Sequence, residues 1–172
     1  MRPVLVQWLR QELAHNRVAL ADQDGDILER MYATLKVSSM VTEGQPTYMP
    51  IKADGSQPIL QGAMVTVNVN IFGGNVGQAF DTAMQLAKSL SRVTVKQQLR
   101  VGGLAFVRLL GDPKDVSIKV GTTFESRALL ELQFRTNLRT DDQLDWIERV
   151  ELTGTYASDG PAFTTTQLIG VS

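Results

Sequence analysis

The chain has 172 residues, 43% hydrophobic and 20% charged, a balance that builds a globular core and excludes wholesale disorder. With 17 Lys and Arg against 18 Asp and Glu, the formal net charge is −1. The chain therefore lacks the basic excess that phosphate neutralisation requires, and nucleic acid is not expected as a partner that it grips. No cysteine leaves no disulfide and no thiolate zinc site, and the one histidine that a Ser-His-Asp centre would need, His15, sits in a polar stretch near the start, so imidazole chemistry is not expected. A cysteine-free chain suits synthesis in a reducing cytosol. No apolar run reaches the ~18–20 residues that cross a bilayer, and Gln7 and Arg10 interrupt the opening Val4-Leu5-Val6 too soon for a signal peptide, so no membrane partner is expected.

Residues 3 to about 16 read as an amphipathic helix. Val4, Leu5, Trp8, Leu9 and Leu13 share one face, and Gln7, Arg10, Gln11 and Ala14 share the other. Pro3 fits a first turn, where its missing N–H would be an orphan anyway. Val18-Ala19-Leu20 predicts a short strand, and Asp22-Gln23-Asp24-Gly25-Asp26 a loop. From Arg30 to Val41 two readings compete. Asp26 with Glu29 would cap a helix, but Met31, Ala33, Leu35 and Val37 alternate with Tyr32, Thr34 and Lys36, which predicts a strand. Residues 42–60 hold Pro46, Pro50, Pro58 and the turn pair Asp54-Gly55, and read as a projecting arm or hairpin.

Ala63 to Phe72 carries the clearest strand pattern: Val65, Val67, Val69 and Ile71 face one way, and Met64, Thr66, Asn68, Asn70 and Phe72 the other. Gly73-Gly74 stops it, and a helix from about Asn75 has an apolar stripe of Val76, Phe80, Ala83, Ala87 and Leu90. Val93 to Gly103 has no decisive pattern. Leu104 to Leu110 reads as a strand ended by Gly111-Asp112-Pro113, with a polar loop to about Thr123. Phe124 to Leu138 reads as a long strand that buries Ala128, Leu130, Leu132 and Phe134, with Asp141-Asp142 breaking it. Leu144 to Thr155 reads as extended, and the Ser/Thr/Gly-rich stretch 157–172 as a C-terminal arm or loose end. This order predicts one α+β domain over 1–172 with its core in about 1–156: a mostly antiparallel sheet of four to five strands, two main helices on one face, a projecting arm and an extended C-terminal tail.

Three groupings have a chemical reading and a plainer one. Gly73-Gly74-Asn75-Val76-Gly77 lies between strand and helix, where phosphate loops occur, but lacks G-x-G-x-x-G spacing and a following Lys-Ser/Thr; a strand stop with a helix cap is the plainer account. Asp22, Asp24, Asp26 and Glu29 gather carboxylates, but the glycine comes too early for a calcium loop and no twelfth-position ligand follows. Glu125, Glu131, Glu148 and Glu151 stand among Arg127, Arg135 and Arg149, which fits cross-strand charge pairing better than an acid–base couple. Trp8 and Trp146 read as core or interface anchors. No catalytic residue, cofactor or metal is expected.

The uncharged row Met64, Thr66, Asn68, Asn70 and Phe72 is different, because a freely solvated sheet face normally carries charge. Either a helix or a second subunit covers it, and charge depletion favours the subunit. Tyr48 and Met49 in the arm and Phe163 in the tail join this row as candidate subunit-interface residues.

The order of several segments resembles the bacteriophage neck/tail terminator (tail completion) family. They are Val18-Ala19-Leu20-Ala21-Asp22-Gln23, Tyr32-Ala33-Thr34-Leu35, and the strand from Val65 to Gly73 leading into the helix of 75–90. Further on come Asp115-Val116-Ser117, the strand Glu125 to Leu132, and Trp146-Ile147-Glu148-Arg149-Val150-Glu151-Leu152-Thr153-Gly154. The similarity covers about residues 17–155, with 42–60 and the tail after 157 as elaborations. It implies a virion structural protein, assembled in the host cytoplasm, that forms a ring of typically six subunits on the head-proximal end of the tail tube. Such a ring stops tube polymerisation and joins the tail to the head connector. The implied partners are further copies of the chain, the tail tube protein, the connector or stopper protein and, in contractile tails, the sheath; genomic DNA only passes through the lumen. The family offers no catalytic residues. Two other readings stay open: another tail component, such as a tube-related or baseplate adaptor protein, and a small carboxylate-dependent α+β enzyme.

Overall fold

The computed structural model describes residues 2–13, 18–21, 31–73, 75–144, 149–156 and 163–170. In chain order they form α1 (Arg2–Glu12), β1 (Val18–Leu20), β2 (Tyr32–Tyr48), β3 (Ser56–Phe72), α2 (Gln78–Ser89) and α3 (Val93–Val101). The strands β4 (Ala105–Leu109), β5 (Lys114–Asp115), β6 (Ile118–Val120), β7 (Thr123–Glu125), β8 (Arg127–Gln143), β9 (Arg149–Tyr156) and β10 (Phe163–Gly170) follow. The chain divides into two compact units, one of Met1–Thr47 with Leu60–Arg139 and one of Tyr48–Ile59 with Thr140–Ser172.

The first unit is built on the period-two alternation of three strands. Side chains of a strand point alternately to opposite faces, so Ala33 and Leu35 of β2, Val65, Val67, Val69 and Ile71 of β3, and Ala128, Leu130, Leu132 and Phe134 of β8 fall on one side, where all are buried. Leu5, Trp8 and Leu9 of α1, Ala79, Ala83 and Leu86 of α2, and Val95 and Leu99 of α3 complete the same cluster. The strand order is β1-β2-β3-β8-β4, with β5 also on β8. β1 lies parallel to β2, whereas β4 and β5 pair antiparallel with β8. That edge is split because Gly111-Asp112-Pro113 cannot continue a ladder, and the pairing of β4 shifts register between Phe106 and Arg108.

Specific contacts bind the helices to one another. The Trp8 indole N–H donates to Ser89 Oγ at 3.1 Å, and the Ser89 hydroxyl donates to the Leu86 carbonyl at 2.7 Å. Gln98 donates to Gln11 at 2.8 Å, Arg92 pairs with Glu12, and Gly102 lies against Val4. The three contacts run in opposite senses along the two segments, so α3 lies antiparallel beside α1. A β-carbon at Gly102 would stand 2.3 to 2.9 Å from the Val4 side chain, so only glycine permits this approach. At the end of α3, Gly103 (φ 80°) donates to Arg100 O and Leu104 donates to Leu99 O, each at 2.9 Å, which is a Schellman cap.

In the second unit the end of β2 turns through 49–55 into β3. Met49 N donates to Pro58 O and Lys52 N to Ser56 O, each at 2.9 Å. Pro58 sits in the strand because its carbonyl accepts, which needs no N–H. Asp54 Oδ1 accepts from Ser56 N at 2.9 Å and from Ser56 Oγ at 2.6 Å. Gln143 Nε2 donates to Asp54 O at 2.9 Å and Leu144 N to Gly55 O at 3.1 Å, tying the turn to the end of β8. β9 and β10 form an antiparallel pair from Phe163↔Tyr156 to Gly170↔Arg149.

The fold class is α+β, with several corrections to the expected elements. A third helix occupies Val93–Val101, and β5 and β6 form in the stretch expected as a polar loop. Asp141-Asp142 does not break β8, which runs to Gln143; both carboxylates are exposed and need no burial there. The buried stripe of α2 is Ala79, Ala83, Leu86 and Leu90, whereas Val76 precedes the helix and is 81% exposed, and Phe80 and Ala87 pack at the cluster's margin. The stretch 157–172 includes the paired strand β10. Asp22, Asp24, Asp26 and Glu29 lie outside the described residues, as do His15 and Trp146.

Candidate assembly surfaces

The three helices cover the valine face of the sheet, which leaves the other face of β3 facing away from the core cluster. Met64, Thr66, Asn68, Asn70 and Phe72 alternate along it, each partly exposed. The row is uncharged, but both flanks carry charge and polar bonds. On the β2 side, the Ser38 hydroxyl lies 3.3 Å from both Thr66 O and Asn68 Oδ1. On the β8 side, Arg127 pairs with Glu125 and Lys114 with Glu131, each at 2.8 Å, and Arg135 of β8 reaches Glu43 of β2 at 2.9 Å, joining the two flanks.

At one end the row closes on an aromatic and cationic cluster. The Tyr32 and Phe72 rings stack at 4.9 Å with 13° between planes, and the Arg127 guanidinium sits 5.2 Å from the Phe72 centroid. Burial raises the Tyr32 pKa above its ordinary value; the Glu125 carboxylate adds to the rise, and Arg127 opposes it. Tyr32 and Arg127 were not among the candidates read from the sequence. Their signal is register: β2 and β8 flank β3, so their outward residues frame the same row.

The other candidates fall elsewhere. Tyr48 is 64% exposed and Met49 is also exposed, both at the turn between β2 and β3, whereas Phe163 is the first residue of β10. In the first unit a shallow cavity of about 240 Å³ is lined by Arg100, Gly103, Leu104, Ala105, Arg135, Thr136 and Asn137. Thr136 Oγ1 donates to Gly103 O across it at 2.9 Å.

Two of the groupings with chemical alternatives have local explanations among the described residues, and Glu148 lies outside them. Gly73 and Gly77 adopt φ near 84° and 82°, conformations that favour glycine. Gly73 N donates to Ser126 O at 2.9 Å, Asn75 N donates to Gln78 Oε1 at 2.9 Å, and Gly77 is the N-cap of α2. The segment works as a strand stop and helix cap. Glu125 and Glu131 are each held by a cation on the sheet. Among the described residues, no three His, Cys, Asp or Glu side chains gather as a metal site would need, and no helix is long and apolar enough to cross a membrane.

Residues 3–160 match the model of a family described as phage neck terminator protein, a span that reaches into both compact units and stops short of the end of the second. Comparison with curated proteins gives no match.

Proposed function

The chain belongs to the phage neck terminator protein family, and from that premise we propose that it closes into a ring, six copies around the tail axis, on the head-proximal end of the tail tube. A protein of this family works in the virion neck, against other head and tail components. The ring stops tube polymerisation and offers its opposite side to the head connector. Its direct partners are further copies of itself, the tail tube protein and the connector or stopper protein, with the sheath added where the tail contracts. Genomic DNA passes through the lumen without being gripped.

The observation that carries this reading is the one-sided sheet of the first unit. One face is filled by three helices, and the other presents the uncharged row Met64, Thr66, Asn68, Asn70 and Phe72. Charge depletion at the centre of a polar-rimmed patch is the composition of an interface core. A neighbouring copy seated there, joined head to tail, closes a ring when the rotation per subunit divides a full turn. Function then lies in contact rather than catalysis, with Glu125 and Glu131 serving as paired charges.

Particles assembled without this protein test the proposal. Negative-stain images should show tails of abnormal length, or heads and tails apart. Normal virions would overturn it, and a defect confined to the distal tip would favour a baseplate role.

A further inference from the structure

A ring joined head to tail needs two unlike patches on each subunit, and β6 and β7 supply a second one within the first unit. The pairs Lys114↔Leu129 and Asp115↔Ala128 of β5 and β8 share one register with Ile118↔Glu125, Lys119↔Phe124 and Val120↔Thr123 of β6 and β7. At the join, Val116 N donates to Arg127 O and Arg127 N to Ser117 Oγ, each at 3.0 Å. Residues 114–129 are therefore one antiparallel hairpin, turned by Gly121 (φ 62°) and Thr122. Its outer half leaves the sheet. β3 ends where Gly73 N donates to Ser126 O, and β4 pairs with residues 132–135 of β8. Among the described residues, β6 and β7 form a sheet of two strands.

A two-stranded ribbon is marginal in water and gains stability from a third strand or a packing surface. This one carries apolar groups to be covered. Ile118 and Phe124 stand in adjacent pairs, so they lie on opposite faces of the ribbon, and they are 42% and 52% exposed. Its charges are Lys119 and Glu125, and Glu125 is taken up by Arg127. The row on β3 complements this tip: Thr66, Asn68 and Asn70 offer hydroxyl and amide groups that both donate and accept, which suits the open backbone edges of β6 and β7. The ribbon cannot cover the row of its own copy. It continues past the Phe72 end, and Met64 lies eight residues back along β3, roughly 26 Å away.

We propose that the β6–β7 ribbon of one copy inserts edge-on over the Thr66, Asn68 and Asn70 row of the next, which rests on the self-assembly reading above and names the surfaces that join. The open backbone meets the amides and hydroxyl, while Ile118 and Phe124 pack to either side, over β2 and β8. Ribbon and row are unlike surfaces on one unit, so the contact runs in one direction around the ring.

Sedimentation velocity on the full chain, over a range of concentration, tests it. Ile118→Ser with Phe124→Ser should weaken self-association by roughly a hundredfold, through loss of two apolar anchors. Because both side chains lie outside the buried cluster, far-ultraviolet circular dichroism and the melting temperature should stay unchanged. The chain holds no cysteine, so Thr122→Cys and Thr66→Cys introduce one thiol each. A short bismaleimide should join the two variants into a dimer when they are mixed, and should join neither when it is alone. A wild-type chain that assembles while the folded Ile118/Phe124 variant assembles equally well, or while the mixed cysteine variants stay unjoined, overturns this interface and leaves the ring intact as a reading. Variant rings that form normally but no longer bind tube ends would give the ribbon to the tube protein, and overturn it too. A wild type that stays monomeric at every concentration and on added tube ends overturns both.

Discussion

Ser89→Ala tests how the helical layer is held together, because it removes one atom and strands another. Trp8 is fully buried, and its indole N–H has Ser89 Oγ as its partner at 3.1 Å. Without that oxygen the N–H stays buried with no acceptor, a loss of about 1–3 kcal/mol. For a chain of this size each kcal/mol moves the midpoint by roughly 2–4 °C, so Tm should fall by about 2–12 °C. Trp8→Phe removes the donor and costs mainly packing. In that background Ser89→Ala should change stability by less than about 0.5 kcal/mol, giving a coupling of about 0.5 kcal/mol or more in the double-mutant cycle. Urea denaturation of the four proteins, with m-values compared, measures it. Equal cost of Ser89→Ala in both backgrounds would refute the claim that this bond ties α1 to α2.

Three further perturbations follow from particular contacts. Gly102→Ala forces a β-carbon into the stiff Val4 side chain and should cost about 1–3 kcal/mol, with Val4→Ala recovering part of it in the same melt. Val67→Asp places a carboxylate at the centre of the buried valine face and should leave no cooperative melting transition; a soluble, cooperatively melting variant would show the face assignment to be wrong. Asp54 and Asp115 both have folded pKa values below the ordinary one, each held down first by a serine hydroxyl, Ser56 and Ser117 respectively. A depressed folded pKa contributes stability above the unfolded pKa of about 3.9, and this is lost as pH falls through the folded value. The melting temperature should therefore drop below about pH 4, and less steeply in Asp54→Asn; identical profiles would contradict the assignment.

The sheet was legible wherever one face is buried. Alternation in Val65 to Ile71 and in Ala128 to Phe134 picks out the residues that reach the core, because a slip of one position would move every valine to the other face. Strand length was not legible. Pro46 and Pro58 argue against a ladder, yet both lie within strands, at positions where sequence alone does not reveal which backbone groups must donate. α3 was hidden because Val93, Thr94 and Val95 are β-branched, a local preference outweighed by packing Val95 and Leu99 on the core. The stripe on α2 was misplaced because Val76 was counted within a helix that starts only after Gly77.

The candidate interface was half legible for a related reason. The uncharged row on β3 is a property of one strand and can be read from it, but Tyr32 and Arg127 join it only through pairing between distant segments.

Cryo-electron microscopy of the intact particle tests the central claim most directly. The account predicts a closed ring of this chain where the tail tube meets the head connector. Density for it at the distal end of the tail, or a mature particle that lacks it, would contradict the account.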